Sequence, residues 1–581
     1  MDGRGDPLTR PADLALRPPP VLRARPASRR WLGRAALWIL PLAYLAIFFF
    51  LPLARILTFS LHLETLSASN LRLALEALGF TFFQATLSTL LTLALGLPAA
   101  ALFAYYDFPG RALLRALTAV PFMLPTVVVA AGFSALLGPR GWLNLILYRL
   151  FDLPAPALVF SGTLSAILVA HVFYNTTIVI RLVGGALSAL DPRLREAGTT
   201  LGADQRRVWW HVLVPLLRPP LLAAVLLVFL FDFTSFGVIL LLGGPSFATL
   251  EVQIYVQALQ LLDLPLAALL SLIQLLCTLG FSILYTRLMT RNRIQTTPRP
   301  MGLNRRPPSS ARQRLFVAVM VSVLAVFFVL PLLSLPLRSL SRLEADRGQR
   351  ADARFGLTSA YYEELFINRR NSVFYVPPAR AALNSLAYAA STVGLSLLMG
   401  LPAAYALARP GRLERILDPI LVLPLGTSAV TLGLGFILAF GRWLASPWMV
   451  PLAHTLVALP FVIRTLQPPL ATLPERLRMA SAALGASPLR TWWVVDSPIL
   501  RRAVLSAAGF AFTVSLGEFG ATVLLSRPEY PTIPVAIFRF LSQPGGLNYG
   551  QAMAMATLLM VLTTAAILLI EGLRLPGASE F

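Results

Sequence analysis

The sequence predicts an all-α membrane protein of about 12 transmembrane helices, arranged as two repeats of six. Hydrophobic residues make up 57% of the 581 positions and charged residues only 13%, whereas a soluble globular domain carries about 25% charged residues. Windows of roughly 20 apolar residues recur along the chain, and this is the length that a helix needs to cross a bilayer. The second half of the chain also repeats motifs of the first half, position by position.

The apolar windows give the order of the predicted elements. Residues 1–30, rich in proline and arginine, are expected to form a disordered cytoplasmic tail. The first half, 31–290, holds six predicted spans, at about 32–58, 76–105, 113–137, 156–182, 219–243 and 263–288. A basic, proline-rich linker follows at 291–313. The second half, 314–575, holds six more, at about 314–337, 380–408, 416–440, 447–467, 501–526 and 549–572.

The basic residues indicate how the chain lies in the membrane. Arginine accounts for the whole basic complement, because the sequence contains no lysine, and the net charge is +23. The arginines gather beside apolar windows, as at 23–34 and 287–314, which is the positive-inside pattern. We therefore expect a multi-pass protein of a prokaryotic plasma membrane with both termini and the linker in the cytoplasm. This pattern predicts that the arginines lie beside the lipid bilayer, and no nucleic-acid partner is expected.

Several classes of function are excluded by what the sequence lacks. A Walker A phosphate loop needs lysine, so this chain is not expected to hydrolyse ATP. The single cysteine, Cys277, allows neither an internal disulfide nor a CxxC metal site. Neither HExxH nor GxSxG occurs, so we expect no catalytic residue and no cofactor. His171 and His454 occupy matching positions but have no second ligand at helical spacing, so no metal site is expected.

A shift of 283 positions superimposes motifs of the two halves without gaps. It relates His171 to His454, Gly202 to Gly485, Trp209 to Trp492, Pro215 to Pro498 and Phe236 to Phe519. Earlier in each half, "GLPAAALFAY" at Gly96–Tyr105 corresponds to "GLPAAYALAR" at Gly400–Arg409. Because six spans separate the copies, both halves begin on the same side of the membrane. Such internal repeats are common in transporters.

The strongest repeat is a charged, tryptophan-bearing segment at about 190–218 and again at 473–501. Each copy is predicted to form two short helices around a glycine, Gly202 or Gly485, that takes a left-handed turn. Asp204 is the expected cap of the next helix in the first copy, and Ser487 with Pro488 fills that role in the second. The segment is interpreted as a docking hairpin. An amphipathic helix on the lipid surface is the alternative.

This pattern resembles the cytoplasmic loop of binding-protein-dependent ABC importer permeases, in which EAA is followed by glycine and then by proline. The matching residues are Glu196, Ala197, Gly202 and Pro215 in the first copy, and Ala480, Gly485 and Pro498 in the second. The resemblance implies a type I permease fold, in which each hairpin (hereafter the first and second coupling segments) docks on a separate ATP-binding subunit. Met479 replaces the glutamate of the second copy, which implies that the two docking contacts are unequal.

The fused arrangement of two halves looks most like the permeases for ferric iron and thiamine, whereas relatives for polyamines, sulfate and molybdate usually keep the halves as separate chains. The resemblance implies a pair of ATP-binding subunits and an extracytoplasmic solute-binding protein as partners. The alternative is an ion-coupled secondary transporter with internal repeats. The loop Arg338–Arg380, with "YYEELF" at Tyr361–Phe366, is either a contact for the binding protein or a solvated cap.

Ionisable groups inside spans mark candidate pathway residues, because burying charge in a bilayer is costly. The shift of 283 aligns Asp232 with Ser515 and Ser235 with Glu518, so each fifth span carries one carboxylate. We expect these four residues to line the translocation pathway, and two carboxylates would attract a cationic cargo. Two alternatives remain. The groups are hydrogen-bonded between helices or lie near the interface as caps. The cargo is an oxyanion, since similar Gly-Glu-Phe-Gly-Ala runs also occur in oxyanion permeases.

Overall fold

The computed structural model of the chain describes residues 27–61, 66–151, 156–244, 246–291, 305–342, 356–367, 376–408 and 411–573. Within these ranges 11 helices are long and apolar enough to cross a membrane, or up to 12 if a bent pair counts as one span. The predicted all-α polytopic membrane fold is confirmed. Most of the predicted tail and most of the predicted linker lie outside the described residues.

Helices make up the first half. They are α1 (Ala27–Leu45), α2 (Leu51–Ser60), α3 (Ala68–Tyr105), α4 (Arg111–Met123), α5 (Thr126–Leu137), α6 (Trp142–Phe151), α7 (Leu164–Ala189), α8 (Pro192–Thr200), α9 (Gln205–Val208), α10 (Val214–Phe233), α11 (Gly237–Leu242), α12 (Leu250–Tyr255) and α13 (Leu264–Arg291). π-helical turns join α1 to α2 at Ala46–Phe50 and α9 to α10 at Trp209–Leu213, and a third follows α12 at Val256–Gln260.

The second half adds twelve helices and a small hairpin. The helices are α14 (Ala311–Ser339), α15 (Ala360–Glu363), α16 (Pro378–Leu407), α17 (Arg412–Val422), α18 (Ala429–Phe440), α19 (Met449–Ala471), α20 (Glu475–Ala483), α21 (Pro488–Thr491), α22 (Ser497–Gly517), α23 (Gly520–Leu525), α24 (Ile533–Leu541) and α25 (Gly546–Leu573). Short turns occur at Glu364–Phe366, Leu423–Gly426, Gly441–Ala445 and Trp492–Asp496. The antiparallel strands are β1 (Ser341–Arg342) and β2 (Gly356–Leu357).

The third and fifth spans of each half are broken, where the sequence predicts continuous helices. In the third span of the second half, the segments Arg412–Gly426 and Ala429–Ala445 meet at an angle of 97°. Pro424 lies at this bend, and Pro125 lies at the matching break between α4 and α5. Proline favours a break because it lacks the N–H that a continuous helix needs. The fifth spans break between α10 and α11 and between α22 and α23. These four breaks lie at the seam between the halves.

Each half packs its first span against the other half. The helices α1 and α2 lie on α16 and α18, and the Tyr44 hydroxyl donates a hydrogen bond of 2.5 Å to the Leu452 carbonyl. In return α14 lies against α5, and the Ser334 hydroxyl donates a hydrogen bond of 2.9 Å to the Gly132 carbonyl. The halves therefore interlock, and the boundary between them in sequence is not a boundary in space.

Equivalent positions of the two halves make equivalent contacts. Thr81 on α3 accepts a hydrogen bond of 3.0 Å from the N–H of Leu250, which begins α12. Ser385 on α16 accepts one of 2.9 Å from the N–H of Ile533, which begins α24. In both halves a buried hydroxyl thus satisfies a donor at the beginning of a helix that would otherwise lie unbonded in an apolar interior.

Candidate functional site

The first coupling segment folds as a helical hairpin. The chain turns at Gly202, whose φ of 79° lies in the left-handed region that favours glycine. The Asp204 carboxylate caps α9 by accepting a hydrogen bond of 2.8 Å from the Arg207 N–H. Gly198 allows the two helices to meet, since a Cβ at this position would lie 2.8 Å from a methyl group of Val208.

The second coupling segment has the same backbone. Gly485 turns the chain with a φ of 78°, and the Ser487 hydroxyl accepts a hydrogen bond of 3.3 Å from the Arg490 N–H. Where the first segment packs glycine against valine, the second joins its helices by a hydrogen bond of 2.9 Å between the hydroxyls of Ser481 and Thr491. The hairpin geometry is therefore common to both copies, and its internal contacts differ.

Both hairpins carry an apolar tip that faces away from the rest of the chain. Leu201 and Leu484 occupy equivalent positions just before the turn glycines, and their exposed fractions are 87% and 89%. Trp210 and Trp493, also equivalent, are exposed as well. Large exposed apolar side chains at a protruding tip indicate a surface that another molecule covers.

The structure brings the other predicted docking residues of each copy onto the same hairpin. Glu196 and Ala197 are exposed on α8, and Ala480 is exposed on α20 beside Met479. Both prolines lie in the first turn of the fifth span, directly after the π-helical turn that continues each hairpin into this span; they are Pro215 in α10 and Pro498 in α22.

The second coupling segment contains an internal brace. The Arg478 guanidinium donates hydrogen bonds of 2.9 and 2.7 Å to the Asp496 carboxylate and lies 5.4 Å from the centre of the Tyr405 ring. The hydrogen bonds that Arg478 donates to Asp496 raise the pKa of Arg478 above its ordinary value. In the first half Ala101 and Leu213 occupy the positions of Tyr405 and Asp496, so the same brace cannot form there.

An open cavity of about 920 Å³ lies beside the first coupling segment. Ala101, Leu213 and Glu196 are among the residues that line it, so it covers the place that the brace fills in the second half. The end of the linker forms another wall, because the Arg306 N–H donates a hydrogen bond of 3.0 Å to the Tyr105 carbonyl. The first segment therefore has a cavity at the place that the brace of Arg478, Asp496 and Tyr405 fills in the second segment.

A second cavity, of about 450 Å³, lies at the seam between the halves, where the third and fifth spans break. Phe122, Phe231, Phe461 and Phe510 line the side of this central cavity that faces the coupling segments. The first three of these rings are more than a third exposed. None of the described residues that line the cavity is an arginine.

In the first half a buried carboxylate and a histidine lie at the break of the fifth span. Asp232 accepts a hydrogen bond of 2.7 Å from the Asn175 amide, and its Oδ1 lies 3.3 Å from His171 Nδ1. The other ring nitrogen of His171 shares a hydrogen bond of 2.8 Å with the Ser235 hydroxyl. One histidine therefore connects the carboxylate before the break to the hydroxyl within it.

The second half repeats this arrangement with the two groups exchanged. His454 Nδ1 shares a hydrogen bond of 2.8 Å with the Ser515 hydroxyl, and Nε2 lies 3.3 Å from Glu518. Glu518 also accepts hydrogen bonds of 2.9 and 3.0 Å from the N–H groups of Ala521 and Thr522, so it caps α23. Each half thus presents one carboxylate, one hydroxyl and one histidine at the break.

The four predicted pathway residues occupy two different depths. Asp232, Ser235 and Glu518 line the central cavity. Ser515 is buried behind it, where its hydroxyl donates a hydrogen bond of 3.2 Å to Thr392. The role of the histidines in holding these groups was not predicted from the sequence. The signal was present, because His171 and His454 are related by the same shift as the carboxylate-bearing helices.

Sequence reasoning also missed Glu251, a fully buried carboxylate that lines the central cavity. Its Oε1 accepts a hydrogen bond of 3.0 Å from the Gln274 amide, and its Oε2 accepts one of 2.6 Å from the Ser428 hydroxyl. Glu251 and Gln274 belong to the first half and Ser428 to the second, so this carboxylate joins the halves. Glu251 lies in a helix of six residues between loops, which is too short to be recognised in the sequence as a membrane span.

Four aromatic rings close the central cavity on the side away from the coupling segments. Phe236 and Phe519, equivalent in the repeat, are stacked with their centroids 5.5 Å apart. Tyr255 packs on Phe236 at 5.6 Å, and the equivalent Phe538 packs on Phe519 at 5.6 Å. Tyr255 and Phe538 meet edge to face at 6.4 Å. This aromatic cluster packs the four rings together across the seam.

Sequence comparisons match part of the chain to a known protein family. Residues 92–294 match the family described as the binding-protein-dependent transport system inner membrane component. This match, together with the relatives of similar length named below, supports an importer permease of this binding-protein-dependent type. A permease of this type is a multi-pass membrane protein and is not itself an enzyme.

Relatives of similar length extend the likeness beyond the matched segment. The permease is 28% identical over 504 residues to the thiamine transport system permease protein ThiP of Brucella abortus, covering 85% of this chain and 86% of the relative. It is 28% identical over 506 residues to ThiP of Escherichia coli, covering 86% and 88%. It is 27% identical over 498 residues to ThiP of Haemophilus influenzae, covering 83% and 86%.

On the face of the permease opposite the coupling segments, part of the loop Arg338–Arg380 is described. Tyr361 packs against Gly550, where a Cβ would lie 2.2 Å from the tyrosine ring, and the Tyr362 hydroxyl bonds the Ser339 hydroxyl at 2.8 Å. Phe366 is 73% exposed. "YYEELF" therefore anchors the described part of the loop and presents one apolar ring. Within the described ranges, no group of three His, Cys, Asp or Glu side chains could hold a metal ion.

Proposed function

We propose that this permease moves a small organic cation of the thiamine type, delivered by an extracytoplasmic solute-binding protein and driven by a pair of separate ATP-binding subunits. The observation that carries the proposal is the chemistry of the central cavity. Its walls combine exposed phenylalanine rings with three carboxylates, Asp232, Glu251 and Glu518, and its described lining includes no arginine.

Aromatic faces and carboxylates both stabilise an organic cation, the former through cation–π attraction and the latter through charge. An oxyanion entering the same cavity would meet carboxylates and would find no arginine among the described lining residues. Ferric iron, the second cargo suggested by the fused architecture, prefers several hard oxygen or nitrogen ligands together. The absence of such a cluster in the described residues favours thiamine, as do the relatives named above as thiamine permeases.

The two coupling segments, at about 190–218 and 473–501, are the proposed contacts with the ATP-binding subunits. Exposed Leu201 and Leu484 support this role, because each would be buried in a groove of a partner. Closure of the partners would push both hairpins and rock the two halves, 31–290 and 314–575, so that the aromatic cluster opens. This arrangement places both termini, the tail 1–30 and the linker 291–313 in the cytoplasm, in agreement with the arginine pattern.

On this orientation the loop Arg338–Arg380 lies outside the cell and is the proposed contact for the solute-binding protein. Exposed Phe366, together with exposed Leu357 on β2, supplies apolar surface for that contact.

Uptake of labelled thiamine by cells without their own thiamine transport tests the proposal. The permease is expressed together with the ATP-binding and solute-binding subunits encoded beside it. We expect uptake that requires ATP hydrolysis and continues when ion gradients are collapsed. Uptake of labelled ferric iron and not of thiamine would change the cargo. Uptake that needs an ion gradient and no ATP-binding subunit would favour the alternative, a secondary transporter.

A further inference from the structure

We propose that Glu251 recognises the positive charge of the cargo, and that the cargo competes with Ser428 for its carboxylate. The inference deepens the proposed function and rests on it. Glu251 lies near the beginning of α12, lines the central cavity and has no exposed surface of its own in this conformation.

The three carboxylates of the cavity differ in their neighbours. A histidine nitrogen lies 3.3 Å from Asp232 and another 3.3 Å from Glu518, and Glu518 also caps a helix. Glu251 accepts hydrogen bonds only from neutral side chains among the described residues, the Gln274 amide and the Ser428 hydroxyl. Each of its two oxygens accepts one of these hydrogen bonds. It is therefore the cavity carboxylate that is free of a basic neighbour and ready to pair with a cation.

The hydrogen bond from Ser428 links this charge to the seam. The Ser428 hydroxyl also caps α18 by accepting hydrogen bonds of 3.2 and 3.3 Å from the N–H groups of Val430 and Thr431. Glu251 therefore lies at the positive end of the α18 dipole, which stabilises its charge while the cavity is empty of cargo. A cation in the cavity that draws Glu251 towards it removes this hydrogen bond between the halves.

The second half offers no equivalent carboxylate, because the shift of 283 takes Glu251 to Pro534. Among the residues that the structure describes, the seam therefore has one such link, and the exposed phenylalanines of the cavity supply the remaining attraction to an organic cation. Glu251 in this way both recognises the cargo and releases the contact between the halves.

The test measures thiamine binding and uptake with the permease assembled with its ATP-binding subunits in lipid nanodiscs. Labelled thiamine is the probe, and equilibrium dialysis gives its Kd. Glu251→Gln keeps the shape of the side chain and removes the charge, so we expect Kd to rise about tenfold or more. Ser428→Ala keeps the charge and removes the competitor, so we expect Kd to stay equal or to fall. Glu251→Asp, which retains the charge, is expected to recover part of the loss.

A higher Kd in Glu251→Gln without a higher Kd in Ser428→Ala is thus the signature of charge recognition. Unchanged binding and uptake in Glu251→Gln overturn the inference. An equal rise of Kd in both variants also overturns it, because the hydrogen bond and not the charge would then be what matters. Failure of the unmodified permease to take up thiamine overturns the proposed function itself, and the inference with it. Recovery of each variant as a monodisperse complex confirms that it has folded.

Discussion

The two coupling segments share one backbone and differ in what holds it together. Both turn at a glycine with φ near 80°, and both expose a leucine at the tip. In the second segment Arg478 pairs with Asp496 over the ring of Tyr405. In the first segment a cavity of about 920 Å³ lies at the corresponding place, with exposed Glu196 at its edge.

The difference teaches which features of a duplicated hairpin are constrained by geometry and which are free to diverge. In the proposed docking role the turn and the tip match a partner surface, and two identical partners require both copies to keep them. The contacts behind the tip need only support it, and an ion pair or a glycine–valine contact can do so. A segment braced from within is expected to be stiffer than one that lies beside an open cavity.

The largest effect is expected where the two segments are the same. Gly202→Val, and separately Gly485→Val, place a β-branched residue at a positive φ, which costs at least about 1–2 kcal/mol and changes the turn. We expect ATP-driven uptake to fall at least about tenfold, with normal insertion in the membrane. Gly185→Ala is the matched control, since no atom lies within 4 Å of the added Cβ. Normal transport and normal stimulation of the ATPase in Gly202→Val would show that the proposed coupling role is wrong.

The exposed tips are expected to give the next largest effect, again in both copies. Leu201→Asp and Leu484→Asp each replace an apolar side chain that a partner groove would bury, a loss of about 1.5–3 kcal/mol. Co-purification of the ATP-binding subunits should fall in both variants. Leu61→Asp is the control. Leu61 is also exposed and lies at the C-terminal end of the first span, so this variant should leave co-purification unchanged. Retention of the ATP-binding subunits by both tip variants would contradict the docking surface.

The brace should matter in the second segment alone. Asp496→Asn removes the partner of a mostly buried Arg478 charge, and a hydrogen bond to a charged group contributes about 1.5–3 kcal/mol. We expect faster hydrogen exchange of the amides of α20 and α21, unchanged exchange of α8 and α9, and a several-fold loss of uptake. Unchanged exchange in α20 would mean that the ion pair does not stiffen this segment.

The smallest effect is expected at the contact between the helices of the second hairpin. Ser481→Ala removes the hydrogen bond to Thr491 without creating a clash, at a cost of about 1 kcal/mol. We expect a modest increase of amide exchange in α21 and near-normal uptake. Thr199→Ala is a matched control, because the Thr199 hydroxyl bonds only a carbonyl of its own helix among the described residues. A loss of uptake as large as that of Gly485→Val would refute this ranking.

Much of the fold was predictable because the bilayer imposes simple rules. A span must be apolar for about 20 residues, so windows in the sequence locate helices such as α14 and α19 well. Turn chemistry is equally local, and Gly202, Asp204 and Ser487 occupy the places that their backbone preferences indicate. The breaks of the third and fifth spans were not predicted, because Pro125 or Pro424 can kink a helix or end it, and only its neighbours decide which.

The candidate site was predictable in part for the same reason. Carboxylates in apolar windows, Asp232 and Glu518, stand out in any sequence. Their pairing with His171 and His454 joins positions about 60 residues apart. The link from Glu251 to Ser428 joins positions 177 apart. Contacts at such separations depend on how helices pack and leave no periodic signal.

The sequence by itself determined that the chain spans a membrane, that it is duplicated and that each copy carries a helical hairpin turned at a glycine, since these properties follow from local composition and spacing. Only the tertiary structure decided that each first span packs on the other half, that Phe236 and Phe519 meet at the seam, and that a carboxylate of one half accepts a hydrogen bond from a serine of the other. The physical reason is that local rules fix which residues are helical, whereas side-chain packing between distant helices fixes which residues meet.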